Sequence, residues 1–131
     1  MAHRAVLCAA LAEGVSHIRN LEFSKDISAT LAAAGQLCAA VQTGADSAMV
    51  TGLGRFRPVT EAIDCGESGS TLRFLIPLAS LTGQAVTFVG HGRLMERPQS
   101  VYKTLYREQG LRFEPTPARL TVEGALQPGE Y

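Results

Sequence analysis

The sequence predicts an α/β fold assembled from α+β repeats, on three observations. Runs with the apolar spacing of helices alternate with short runs that switch between apolar and polar as strands do. The order of these runs recurs: Arg4 and Gly14 reappear as Arg73 and Gly83 at one common offset, and Val50, Thr51 and Gly52 reappear as Val122, Glu123 and Gly124 at a slightly longer one. With 131 residues, 46% of them hydrophobic, the chain can bury a core and corresponds to one small domain or part of a larger one.

The first run, RAVLCAALAE from Arg4 to Glu13, is rich in alanine and leucine and stops at Gly14, which suits a helix with a glycine C-cap. SHIRNLEF follows with the alternation of a strand. Ser24 or Asp26 can cap a helix over about 27–41, with Ile27, Leu31, Ala34, Leu37, Cys38 and Val41 as its buried stripe. SAMVTG and EAIDC read as short strands. The second half repeats the order, with a helix from Ser70 to Leu81 ending at Gly83, the strand QAVTFVG, and a helix from Pro98 to Gln109 ending at Gly110. The strands LRFEP and RLTVEG complete it. Pro98 suits a first helical turn and Gly110 a C-terminal cap. Pro77 removes a donor inside its helix and is expected to kink it. Each half thus reads helix, strand, helix, strand, strand, as unit one over 1–60 and unit two over 61–131. EAIDC adds an opening strand to the second half only, so the repeat predicts a matching strand ahead of Arg4 and a chain cut short at its N-terminus.

Twelve basic and twelve acidic residues cancel, and no run of like charge occurs. Neither a nucleic-acid nor an anionic-membrane partner is expected, and an anionic ligand would have to be met by single, placed arginines. Cys8, Cys38 and Cys65 show no CxxC or Cys/His ligand spacing, so no metal site is expected and the thiols read as buried and free in a reducing cytoplasm. The apolar stretches are too short to span a bilayer, and MAHR lacks the apolar core of a signal peptide, so a cytoplasmic location is expected.

Chemistry concentrates in two short stretches. In GESGSTLR, Gly66 and Gly69 let backbone approach a ligand, and the free N–H groups of a helix start attract negative charge. Glu67 puts a carboxylate into that anion-friendly loop, and simple capping by the serines would explain much of the same pattern. In MERPQ, Arg97 precedes Pro98; if Pro98 opens a helix, Arg97 sits at the N-cap, where its guanidinium can grip a carboxylate or phosphate bidentately. Arg4 and Arg73 share a repeat position in first helical turns, where a cation opposes the helix dipole, so neither serves helix stability. Capping accounts for Asp26, and Tyr102 and Tyr106, one turn apart, read as packing. The histidines show no metal spacing; His17 and His91 are expected in or beside strands and carry no assigned role.

HRAVLCAALAEG, SKDISATL, GESGSTLRFL and MERPQ, in this order and at these distances, resemble the N-terminal part of the 5-enolpyruvylshikimate-3-phosphate synthase family, over nearly the whole chain. The resemblance implies βαβαββ units of the enolpyruvyl transferase inside-out barrel, about two of them here, in a partial N-terminal domain. It also implies transfer of the enolpyruvyl group of phosphoenolpyruvate to the 5-hydroxyl of shikimate 3-phosphate with release of phosphate, on the route to chorismate and the aromatic amino acids, without a redox cofactor. By position, Arg4 corresponds to the arginine holding shikimate 3-phosphate, Gly69 to the loop glycine whose N–H meets phosphoenolpyruvate, and Arg97 to the arginine clamping that substrate. Glu67 stands where many members carry asparagine, while Ser70 and Arg73 match positions that shape the site.

Other family elements are expected outside the chain: a lysine and serine ahead of the stretch matching MAHR, a Ser-Ser-Gln segment after QPGEY, and a C-terminal domain with acid–base groups. A fragment without turnover is therefore expected, its partners being the two substrates and that C-terminal domain. Two alternatives stand beside this reading. One is the related transferase acting on UDP-N-acetylglucosamine, which is expected to carry a reactive cysteine in a glycine-rich loop unlike the surroundings of Cys8, Cys38 or Cys65. The other is a non-catalytic repeat domain that binds an anion or a partner.

Overall fold

The structure, a computed structural model, describes residues 1–130. They form two compact units, over residues 1–58 and 59–130. Hydrogen bonds place the division: Arg57 donates its N–H to the Leu37 carbonyl at 2.7 Å and its guanidinium to the Ala39 carbonyl at 3.1 Å, tying it to the first unit. Val59 donates to Gln84 Oε1 at 2.8 Å, tying it to the second.

The first unit runs α1 (Ala2–Leu11), β1 (Gly14–Ile18), α2 (Lys25–Leu37), β2 (Ala39–Thr43) and β3 (Ala48–Gly52). Its antiparallel sheet has the order β1-β3-β2, with Val50 opposite Ser16 on one side and Val41 on the other. Val6 and Ala10 of α1, Ile27, Leu31 and Leu37 of α2, and Val50 of β3 are buried. Ser24, one of the two candidate caps, closes the start of α2 by accepting from the Ile27 N–H at 3.2 Å; Asp26 lies in the first turn.

The sequence-based boundaries of this unit need three corrections. α1 stops at Leu11 with Ala12 extended, and Gly14 opens β1 at φ +103° instead of capping the helix. The Ala12 carbonyl lies where a side chain on Gly52 would go, so backbone packs directly on backbone there. The strand occupies Gly14–Ile18 and ends before Asn20, whose φ of 57° turns the chain; most of SHIRNLEF is loop. α2 ends at Leu37, and AAVQT, including Val41, is the strand β2, because Cys38 leaves helical geometry and β3 offers a ladder.

The second unit runs β4 (Ile63–Asp64), α3 (Gly69–Thr82), β5 (Val86–Val89), a 3₁₀ turn (Leu94–Glu96), α4 (Ser100–Glu108), β6 (Arg112–Pro115) and β7 (Arg119–Glu123). Its sheet has the order β4-β5-β7-β6. The last strand of each unit inserts between the two before it, so β1-β3-β2 and β5-β7-β6 are the same arrangement, and the internal repeat is structural. β4 is the additional strand and pairs parallel with β5, making β4-α3-β5 a crossover unit. Leu72, Leu75, Ile76 and Ala79 of α3 are buried, as are Phe88, Tyr106, Leu120 and Val122 of the elements around it.

Gly83 caps α3 in the left-handed region as expected, at φ 66°. α4 closes with a Schellman motif: Gly110, at φ +68°, donates to the Arg107 carbonyl at 3.0 Å and Leu111 to that of Tyr106 at 2.8 Å. α3 runs unbroken through Pro77. The missing N–H at 77 would have served the carbonyl of Arg73, one turn back. The Tyr102 hydroxyl donates to that carbonyl at 2.9 Å, so a side chain of α4 replaces the lost donor. One turn along, the Tyr106 hydroxyl donates to the Ile76 carbonyl at 3.0 Å, and its fully buried ring meets Phe113 at a centroid distance of 5.5 Å. The tyrosine pair thus packs, as expected, and also supplies donors to α3. Burial pushes the Tyr106 hydroxyl up to about 12, so it stays protonated as a donor.

Candidate functional site

In an open sheet, ligands bind beyond the carboxyl ends of parallel strands, where the chain leaves the sheet for a crossover. β4 and β5 are the only parallel pair among the described residues. The segments following their carboxyl ends are 65–69 and 90–97, the two stretches singled out from sequence.

Segment 65–69 starts α3. Ser68 is the N-cap and is buried; its Oγ accepts the Thr71 N–H at 3.1 Å and the Thr71 hydroxyl at 2.7 Å, while its carbonyl accepts from Leu72 at 3.2 Å. The Gly69 and Ser70 N–H groups, first in the helix, have no acceptor among the described residues. Two adjacent open donors at the positive end of a helix dipole attract an anion. Capping is therefore real at Ser68, and it leaves the donors at Gly69 and Ser70 unused.

Arg97 is placed differently from its sequence-based position. α4 begins at Ser100 with Gln99 as its N-cap, and Arg97 instead ends the 3₁₀ turn in extended conformation, at φ −68° and ψ 131°. Pro98 disfavours helical geometry in the residue before it, which keeps Arg97 extended. From there the guanidinium reaches the start of α3: Nη1 lies 3.0 Å from where a Cβ on Gly69 would stand. Arg97 thus lies against the N-terminus of α3 instead of its own helix, and a Cβ at 69 would make the guanidinium give way by a few tenths of an ångström.

Glu67 makes no ion pair with Arg73 or Arg97. Its carboxylate lies against Gly92, where Oε1 occupies the space of a side chain and the backbone sits at φ +60°. Ser70 is exposed as the second residue of α3. Arg73 is exposed too, but it lies beyond the first turn of α3, contrary to the expectation drawn from the repeat. Arg4 belongs to the first unit, exposed in the first turn of α1.

The two segments are joined by a ladder that sequence reading missed. Cys65 donates to the Val89 carbonyl at 2.9 Å and His91 to that of Gly66 at 2.7 Å. Asp64 Oδ1 accepts from the Gly66 N–H at 2.8 Å, and Oδ2 meets His91 Nε2 at 3.0 Å. The Gly66 bond, with a smaller contribution from His91, holds the Asp64 carboxyl below its ordinary range. Cys65, buried beneath, has its thiol pushed up to about 12 by burial and the neighbouring carboxylate, which disfavours the thiolate. Cys8 is exposed, a correction to the expectation that all three thiols are buried. Beside Arg97 opens a cavity of about 280 Å³ between the 3₁₀ turn, α4 and the β6–β7 hairpin, where Lys103 and Arg119 add positive charge. Neither had a motif to reveal it; only the strand pairing brings Arg119 to this end of the sheet, opposite Val89.

The family described as EPSP synthase (3-phosphoshikimate 1-carboxyvinyltransferase) matches residues 1–115. The 3-phosphoshikimate 1-carboxyvinyltransferase of Clostridium kluyveri is 40% identical over 131 residues, covering 98% of this chain and 31% of its own length. That of Clostridium beijerinckii is 42% identical over 140 residues, covering 100% and 32%. Among solved structures, an EPSP synthase from Acinetobacter baumannii superposes with a TM-score of 0.87 at 23% identity, over 99% of this chain and 32% of that one, a likeness of fold that agrees with the expected α/β class. The chain spans about a third of the length of the curated relatives it matches. No helix among the described residues is long and apolar enough to cross a membrane. On a family match that takes in the whole of the first unit and the Gly69–Arg97 site of the second, the chain belongs to the EPSP synthase family.

Proposed function

We propose that this chain supplies substrate-binding residues of a cytoplasmic 3-phosphoshikimate 1-carboxyvinyltransferase. The enzyme would move the enolpyruvyl group of phosphoenolpyruvate to the 5-hydroxyl of shikimate 3-phosphate on the route to chorismate. The observation that carries the proposal is the convergence of the open Gly69 N–H with the Arg97 guanidinium, 3.0 Å from the Gly69 Cβ position. A neutral donor and a fixed cation at one helix end suit the carboxylate or phosphate of phosphoenolpyruvate.

In the proposed reaction the 5-hydroxyl of shikimate 3-phosphate gives up its proton as its oxygen adds to C2 of phosphoenolpyruvate, while C3 gains a proton. Loss of a proton from the C3 methyl group and cleavage of the bond from C2 to the phosphate oxygen then restore the double bond and release phosphate. Two polyanions must lie side by side before the C–O bond forms, so preset donors have to offset their repulsion. Gly69, Ser70 and Arg97 would do so for phosphoenolpyruvate, and Arg4 for shikimate 3-phosphate. Arg73 would shape the first turns of α3, and Glu67, held against Gly92, would fix the loop instead of meeting an anion.

Binding and turnover separate in this proposal. The purified 131-residue chain should bind phosphoenolpyruvate without releasing phosphate, since the proton-transfer groups and the facing domain would come from the rest of a full-length enzyme. Calorimetric titration tests the assignment. Phosphoenolpyruvate should bind saturably and Arg97→Ala should weaken it by roughly tenfold or more, the range for one charge-assisted contact. Binding of UDP-N-acetylglucosamine with none of phosphoenolpyruvate would overturn the reading in favour of the sugar-nucleotide relative.

A further inference from the structure

Gly69 and Arg97 lie far apart in sequence, and nothing in either local conformation holds one against the other. The connection between their segments begins at the far end from the ligand position, with His91 Nε2 on Asp64 Oδ2 at 3.0 Å. Asp64 Oδ1 takes the Gly66 N–H at 2.8 Å, and the Gly66 carbonyl takes the His91 N–H at 2.7 Å, closing a ring of three hydrogen bonds, two of which cross between the segments. Next comes Glu67 over Gly92, and then the Gly69–Arg97 approach. Space is tight along the whole seam: a Cβ on Gly90 would lie 2.9 Å from the Gly66 carbonyl oxygen. A change in the ring at Asp64 and His91 therefore displaces the backbone that carries Gly69 relative to the backbone that carries Arg97.

We propose that Asp64 and His91 are positioning residues that set the spacing between the Gly69 amide and the Arg97 guanidinium, and so the affinity of this site for phosphoenolpyruvate. The inference rests on the reading of Gly69 and Arg97 as a phosphoenolpyruvate site. Neither residue reaches the ligand; they act through Gly66 and the 90–97 segment. Both side chains are more than half exposed, so the pair is weak by itself, and it acts by selecting one register for loops already joined through the backbone.

The test uses this chain with His91→Ala, which removes the pair, and His91→Gln, which keeps a side-chain N–H donor for Asp64. His91→Ala should weaken phosphoenolpyruvate binding about threefold, the scale of an exposed pair, with the unfolding midpoint unchanged. Amide exchange at Gly66 should quicken and the Arg97 guanidinium resonance should shift, and His91→Gln should recover most of each change. Parent affinity in His91→Ala, or unchanged Gly66 exchange and Arg97 resonance, would overturn the proposal. If the parent chain itself fails to bind phosphoenolpyruvate, the functional reading fails. Positioning is then judged on Gly66 exchange and the Arg97 resonance in the ligand-free chain, where a change supports it and constancy overturns it.

Discussion

The Tyr102–Arg73 hydrogen bond makes a quantitative prediction about how a proline is accommodated inside a helix. Pro77 leaves the Arg73 carbonyl without its helical donor, and the Tyr102 hydroxyl fills the vacancy at 2.9 Å. Tyr102→Phe removes that donor and little volume. A neutral hydrogen bond contributes on the order of 0.5–1.5 kcal/mol net. Because Arg73 is exposed and water can reach its carbonyl, the lower half of that range applies, about 0.5–1 kcal/mol. In a Pro77→Ala background the restored N–H serves the carbonyl, and the same Tyr102→Phe change should cost less than half as much. Urea unfolding of the four proteins of this double-mutant cycle measures the coupling directly. An equal cost of Tyr102→Phe in both backgrounds would refute the compensation.

Gly52→Ala should destabilise the first unit by roughly 3 kcal/mol, because a Cβ there meets the Ala12 carbonyl backbone and neither side can yield easily; amide exchange across β1 and β3 would report it, and parent-like protection would contradict the packing. Of the three cysteines, only exposed Cys8 should react with a thiol reagent at neutral pH in the folded chain, since Cys38 and Cys65 are buried with thiols pushed up; fast labelling of two or three would contradict this. Asp64 is held below its ordinary value of 3.8, so its contribution to stability is complete above that pH and disappears as the pH falls below it. Asp64→Ala should accordingly flatten part of the acid dependence of unfolding below about pH 4, while an unchanged acid limb would show that the carboxylate is not held in the folded state.

Much of the second unit was legible because its punctuation is local. Gly83 and Gly110 are true left-handed caps, and the strands at QAVTFVG, LRFEP and RLTVEG fall where alternation places them. The first unit was harder. AAVQT continues the alanine-rich run of the helix it follows, and only pairing with β3 makes it a strand. Gly14 resembled a helix cap, yet its conformation belongs to the start of β1. At the site, residue types and their order pointed to Gly69 and Arg97. They could not show that Arg97 turns away from its own helix to the start of α3, because that depends on the 3₁₀ turn and on contacts between distant segments. Asp64, His91, Lys103 and Arg119 carried no motif at all, and tertiary placement alone draws attention to them.

The central claim is that the open amides of Gly69 and Ser70 and the Arg97 guanidinium together form the contact for phosphoenolpyruvate. The most direct measurement is a titration of the isotopically labelled chain with phosphoenolpyruvate, following these backbone and guanidinium resonances by NMR. The account predicts saturable shifts at Gly69, Ser70 and Arg97 with one common dissociation constant. In Arg97→Ala, which removes the charge-assisted contact, the constant read at Gly69 and Ser70 should be about tenfold weaker. Saturable binding that leaves these three positions unmoved, or Arg97→Ala binding as tightly as the parent, would contradict it.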